Sequence, residues 1–464
     1  MSRVLLSLVL GLLLLTGCRD EEAEARFRSP LGPVAATPQR PGDPAKGRDA
    51  LLNAPYVSCG MPMAAYERLA PAPEPSDLIP GRTGRNATLP YALTAHVAQS
   101  GVEVVSSNCL TCHAQEIAGE VVVGLGNEFA DFTRDPRRLA LQAGRYVTGA
   151  AETAEWQHWA DRLEGIAPYI GTRTIGVNPA PNLTWALMAH RDPRTLAWSP
   201  EPRIAPPPAD PLPISVPPWW GMARKNAMFY TTIGRGDQAH FMLLASMLCV
   251  EDPDELTAID AYAADIRAFI LSLEPPDWPY AIDADLARTG AGVYARACDG
   301  CHGTPGGAYP NRVIALEEVG TDPAYAAEST DGSRDRFFDW VAASPYGDEN
   351  SAAPARGYIA PPLDGVWATA PYLHNGAVPS LAALLDSRRR PAFWRHEIPR
   401  VFDPQAVGWR HEALASGQAA EPDAGARRRI YDTTFRGYGK GGHSYADGLD
   451  EAERLALLEY LKTF

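Results

Sequence analysis

Residues 108–116 read "NCLTCHAQE", and residues 297–305 read "ACDGCHGTP". Each stretch sets two cysteines three positions apart, with a histidine directly behind the second. On one helical turn, side chains at i and i+3 share a face, so two thiols and an imidazole are delivered together. A zinc site needs four ligands and assigns no special place to that histidine. A c-type haem uses all three groups: two thioethers to its vinyl groups and an imidazole to its iron. At this chain's Cys and His frequencies one chance match is expected about once in several hundred such chains, and two far less often. The expectation is therefore two covalently bound haem c groups. Cys109 and Cys112 hold the first, with His113 as proximal iron ligand; Cys298 and Cys301 hold the second, with His302.

The rest of the chain suits an exported, folded protein. Its 464 residues allow two or three domains at roughly 150 residues each, and a hydrophobic content of 45% supplies cores. A net charge of −14 excludes nucleic acid as a partner, since phosphate binding needs a basic surface. The "RRR" runs at 388–390 and 427–429 read as solvated faces. At the N-terminus, "MSRVLLSLVLGLLLLTGC" joins one positive charge to an apolar run too short for a membrane span. Its end, Leu15-Thr16-Gly17-Cys18, resembles a bacterial lipobox, with Cys18 as the lipidated residue. The protein is thus expected in the cell envelope as a lipoprotein facing the periplasm or exterior, anchored to the membrane by acyl chains. Seven cysteines less Cys18 and the four in the motifs leave Cys59 and Cys249, a disulfide candidate in an oxidising compartment.

Residues 1–18 read as the lipoprotein signal and the charged, then Pro/Gly-rich 19–45 as a flexible tether. "PPDWPY" at 275–280 reads as a linker, which divides the chain into an N-terminal haem domain at 46–276 and a C-terminal one at 277–464. A helical stretch is expected to lead into each motif, and an amphipathic helix to close each half. Leu256, Ile259, Tyr262, Ile266, Phe269 and Leu273 mark the first closing helix, and Leu455, Leu458 and Leu461 the second. The expected fold class is mainly α: two cytochrome c-like haem domains with long irregular loops.

The chemistry depends on what fills the far side of each iron, because two strong ligands give electron transfer and an open face can bind oxygen or peroxide. Every methionine precedes the second motif, so the second haem must look to His374, His396, His411 or His443. For the first, His190, His240, Met188, Met228 and Met242 are candidates. Trp219, Trp220, Phe229 and Tyr230 would instead line an open face.

"PPLDGVWATAPYLHNGAVPSLAALL" resembles the signature of the dihaem cytochrome c peroxidase superfamily. "GGHSYADGLDEAERLALLEYLKTF" and "PPWWGMARKNAMFYTTIGRGD" look most like its rubber-oxygenase branch. The resemblance implies a reactive N-terminal haem and an electron-transferring C-terminal haem. It favours His443 as the distal ligand of the second haem, with His374 as the alternative. Peroxidases of the superfamily use methionine there, and this chain has none. Tyr372, His374 and Asn375 would then lie at the haem edge, and Trp367 is a candidate inter-haem relay. The resemblance also raises calcium as a cofactor, although no carboxylate-rich loop identifies a site.

Two functions follow. One is an oxidoreductase whose first haem activates hydrogen peroxide or dioxygen, acting as a peroxidase or as an oxygenase on an apolar substrate. The other is a pure dihaem electron carrier. Either would exchange electrons with a small redox protein or a quinone-linked donor or acceptor, and the acidic surface favours a basic one.

Overall fold

The computed structural model describes residues 31–464. Cys18, the signal-like segment and residues 19–30 of the expected tether lie outside the described residues. Among the described residues no helix is long and apolar enough to cross a membrane.

Six helices carry most of the packing: α1 (Pro44–Asn53), α2 (Gly149–Ile170), α3 (Ala180–Ala189), α4 (Pro253–Leu271), α5 (Ala284–Ala297) and α6 (Glu451–Leu461). Their starts are written in the sequence. Asp43, Asp252, Asp283 and Asp450 each accept backbone N–H bonds at the helix entrance. The α4 residues Leu256, Ile259, Ala263, Ile266 and Ile270 are buried, the stripe that its periodicity requires. Helix α1 packs on α4 and α5 packs on α6. Both crossings are made at a glycine. A Cβ on Gly47 would stand 1.8 Å from Asp265 O, and one on Gly290 would stand 1.9 Å from Ala456 O.

The mainly α expectation is corrected. Of the described residues 39% are helix and 13% strand, and the strands form several small sheets, so the fold is mixed α/β. Periodicity reading misses these strands because they are two to five residues long, shorter than the window in which alternation becomes visible. The longest, Leu93–Val97 and Glu103–Ser107, form a hairpin with Leu93 opposite Ser107 and Ala95 opposite Val105. That hairpin occupies the place where a helix is expected upstream of the first motif. Gly101, at φ +82°, makes the turn, and the β-branched Val102, Val104 and Val105 suit a strand.

The cores do not divide at residue 276. The core around α1, α2, α3 and α4 also takes Phe337, Phe338, Trp340, Val341 and Tyr346 from beyond the second motif. The core around α5 and α6 takes Ile117, Leu125 and Trp220 from before it. Two separate haem domains are therefore not what the packing displays. The described part of the expected tether is also held down. Gly32 and Pro33 pair with Val313 and Arg312, Thr37 Oγ1 donates to Gly236 O at 2.7 Å, and Arg40 forms ion pairs with Asp237 and Asp260. A disulfide joins Cys59 to Cys249.

Candidate functional site

Helix α5 delivers the second motif. Cys298 N donates to Tyr294 O at 2.8 Å, and His302 N donates to Cys298 O at 3.1 Å, so Cys298 and the short turn it caps, Asp299–His302, carry both thiols and the ring. His302 Nδ1 lies 2.7 Å from Pro361 O. A carbonyl can only accept, so Nδ1 carries the proton and Nε2 presents its lone pair, the tautomer a metal ligand needs.

Opposite stands His443. The two rings lie 6.0 Å apart between centroids, at an interplanar angle of 64°. That spacing leaves room for one ion between the rings. The residues at this site therefore fit haem iron. Burial, with His302 and Arg390 adding to it, lowers the His443 pKa to about 4, so the ring is neutral and able to ligate at physiological pH. His443 itself sits at φ 45°, in the left-handed region that few non-glycine residues adopt.

The first motif is set by the hairpin. Asn108 Nδ2 donates to Tyr91 O and to Thr94 Oγ1, both at 2.9 Å, and its Oδ1 accepts from Leu110 N at 2.9 Å. The turn Leu110–His113 follows. Trp219 stacks on the His113 ring with centroids 4.4 Å apart and planes 18° from parallel. Burial lowers the His113 pKa to about 3. Its Nδ1 is buried and has no hydrogen-bond partner among the described residues. Unlike His302, this ring therefore has no carbonyl acceptor among the described residues to set its tautomer.

The four motif thiols are neutral. Burial pushes Cys109 up to about 12 and Cys298 up to about 11, and raises Cys112 and Cys301 as well. A redox dithiol needs the opposite, a lowered thiol pKa. Among the described residues no group of three or more His, Cys, Asp and Glu is placed to hold a metal ion, so neither motif is completed as a zinc site and no calcium cluster is formed.

The remaining candidates are dispersed. His374 is buried, stacks on Tyr358 at 4.0 Å and faces Tyr230 at 6.1 Å. Tyr372 is buried and donates to Val366 O at 3.1 Å. Asn375 donates to Gly437 O and Gly439 O, each at 2.9 Å, and so holds the loop that leads to His443. His190 stacks on Trp198 and its Nδ1 bonds Ser199 O. His240 is engaged with Pro345 O and Asp260. His396 packs on Trp394 and Phe129, and His411 on Trp394. Phe229 is exposed and packs on Phe241. Met188 is fully buried in the first core, against which Met228 and Met242 pack. Trp367 lies in the second core against Trp278 and Phe402.

What spans the two motifs is the segment 219–224. Trp219 lies on His113, Trp220 Nε1 donates to Asp364 O at 2.8 Å, and Arg224 reaches Asp364 and Thr304 O at 2.6 and 2.8 Å. Sequence reading missed Pro361, Arg224 and Asp364, because a backbone acceptor and an interior ion pair leave no local pattern. It also missed Glu128, which is buried with Ser215 Oγ donating to its Oε1 at 2.7 Å.

Residues 357–395 match a family described as RoxA-like, cytochrome c-like. That segment contains Pro361, Asp364, Asn375 and Arg390, which hold His302, the inter-motif segment and the His443 loop. The match marks a cytochrome c-like domain and supports a haem-binding redox protein with covalently attached haem c. Two relatives come from Sinorhizobium fredii (strain NBRC 101917 / NGR234). Uncharacterized protein y4iJ is 30% identical over 259 residues, covering 41% of this chain and 41% of that protein. Uncharacterized protein y4iM is 28% identical over 264 residues, covering 48% of this chain and 58% of that protein. The chain spans about half the length of these curated relatives.

Proposed function

We propose that this chain is an exported dihaem c-type cytochrome that acts as a redox enzyme. Its relation to the dihaem peroxidase superfamily, its lipid anchor at Cys18 and its place in the cell envelope are parts of the same reading. Bound at both motifs, haem would supply an iron that takes peroxide or dioxygen at the first site and an electron-transfer centre at the second. The observation that carries the reading is the asymmetry of the histidines: His302 has a second imidazole opposite it, and His113 has an indole stacked on its ring.

The chain's own groups do the rest. The four neutral thiols would hold haem by adding S–H across its vinyl double bonds. The Pro361 carbonyl fixes the His302 tautomer, and His443 would close the second site, where a second imidazole gives a lower potential than methionine would. Trp219, Trp220 and the 361–365 segment link the two sites through packed groups. The acidic surface favours a small basic redox protein as electron partner.

The test is the optical spectrum of the haem-loaded full chain, in air and then with dithionite and carbon monoxide. The expected result is two haems per chain, with carbon monoxide shifting about half of the reduced signal. No shift would mean two closed irons and a pure electron carrier. A shift of all the haem would remove His443 as a ligand.

A further inference from the structure

We propose that Arg390 is the positioning residue of the second site, holding the 440–443 loop so that His443 faces His302. The proposal rests on the reading of that site as a bis-histidine one. Arg390 closes a run whose composition reads as a solvated face, yet it is 4% exposed. All five of its N–H groups meet backbone carbonyls. Nε donates to Ala383 O at 3.2 Å, and Nη2 to Leu384 O and His443 O, both at 3.0 Å. Nη1 donates to Lys440 O at 2.9 Å and to Gly442 O at 2.6 Å. The Lys440 ammonium in turn donates to Arg390 O.

This differs from the other buried arginines. Arg82, Arg162, Arg191 and Arg334 each leave Nε without a partner among the described residues, and Arg390 does not. Among the described residues no carboxylate forms an ion pair with it, and Asp447 and Asp386 act on it only at longer range. A guanidinium taken from water and matched only to carbonyls is costly, and what that cost secures is one loop conformation.

The loop needs securing. Gly437, Gly439, Gly441 and Gly442 give it little preference of its own, and His443 at φ 45° persists only where its surroundings over-determine it. Three carbonyls of the loop go to Arg390, and His443 N donates to Val319 O at 2.7 Å. Only a rigid five-donor fork can reach residues 383–384 and 440–443 together; a lysine ammonium cannot.

The test compares Arg390→Lys, Arg390→Gln and His443→Ala in the haem-loaded full chain by carbon monoxide titration. A second readout is amide hydrogen exchange over residues 440–443. His443→Ala is expected to raise the carbon monoxide-reactive haem about twofold. Both Arg390 variants are expected to raise it toward that value, leaving the first haem's contribution unchanged. Exchange at 440–443 should quicken about tenfold or more, with residues 110–113 as parent. If Arg390→Gln does not accumulate, Arg390→Lys and the exchange readout decide. Arg390 variants that behave as parent while His443→Ala opens the second iron overturn the clamp and leave the bis-histidine reading standing. Parent behaviour in His443→Ala overturns both.

Discussion

Glu128 shows how much one buried group can report. Burial raises its carboxyl from 4.5 to about 8, against the opposing hydrogen bonds from Ser215 and the Val216 backbone. The folded chain therefore holds that proton more tightly than the unfolded chain. The stability this contributes is fully present below pH 4.5 and is lost as pH rises from there through about 8. The steepest slope is about 1.4 kcal/mol per pH unit. Glu128→Gln keeps the volume and a hydrogen-bond acceptor but cannot ionise. Denaturant midpoints should match the parent near pH 4, and the variant should be more stable near pH 9, by about 4–5 kcal/mol. Parallel curves would show that the carboxyl ionises in the fold at its ordinary pKa.

Between residues and the whole, the two helix crossings are the elements with least slack. The α5–α6 contact presents the second motif, since α5 ends at Cys298. Gly290→Ala would place a methyl group 1.9 Å from Ala456 O, a backbone atom that no side-chain rotation moves aside. The expected cost is about 2–3 kcal/mol, read as a lower denaturant midpoint with an unchanged m-value. An unchanged midpoint would mean that α6 can shift along α5. The same elements mark where sequence was informative. The CxxCH motifs are legible because all their chemistry lies within five residues. The short strands carry too few residues to show a period, so the hairpin before Cys109 reads as helix. Arg390 misleads for a different reason: its burial depends on carbonyls some fifty residues away in the chain, which composition does not encode. His443 stands out through its resemblance to a family pattern, not through any property of its neighbours.

At the scale of the molecule, the two halves share cores, so they should lose structure together. Phe337, Phe338 and Trp340 fill the first core from the second half, while Ile117, Leu125 and Trp220 fill the second core from the first. The stretch at 275–280, which reads as a linker, places Trp278 against Trp367 and Phe402. Denaturant unfolding followed by tryptophan fluorescence and by the haem spectrum should therefore give coincident single transitions. Two resolved steps would restore the picture of independent domains. The Cys59–Cys249 disulfide spans 190 residues, and both cysteines are buried in the first core. Replacing both cysteines with serine should lower stability by about 3–5 kcal/mol. Because the same core includes side chains from residues 337–346, that loss should move the haem transition of the second site as well as the first. A shift confined to the first site would mean that the shared side chains only touch the core and do not couple the halves. A common shift would make the disulfide a constraint on both motifs, though it joins residues that precede the second one.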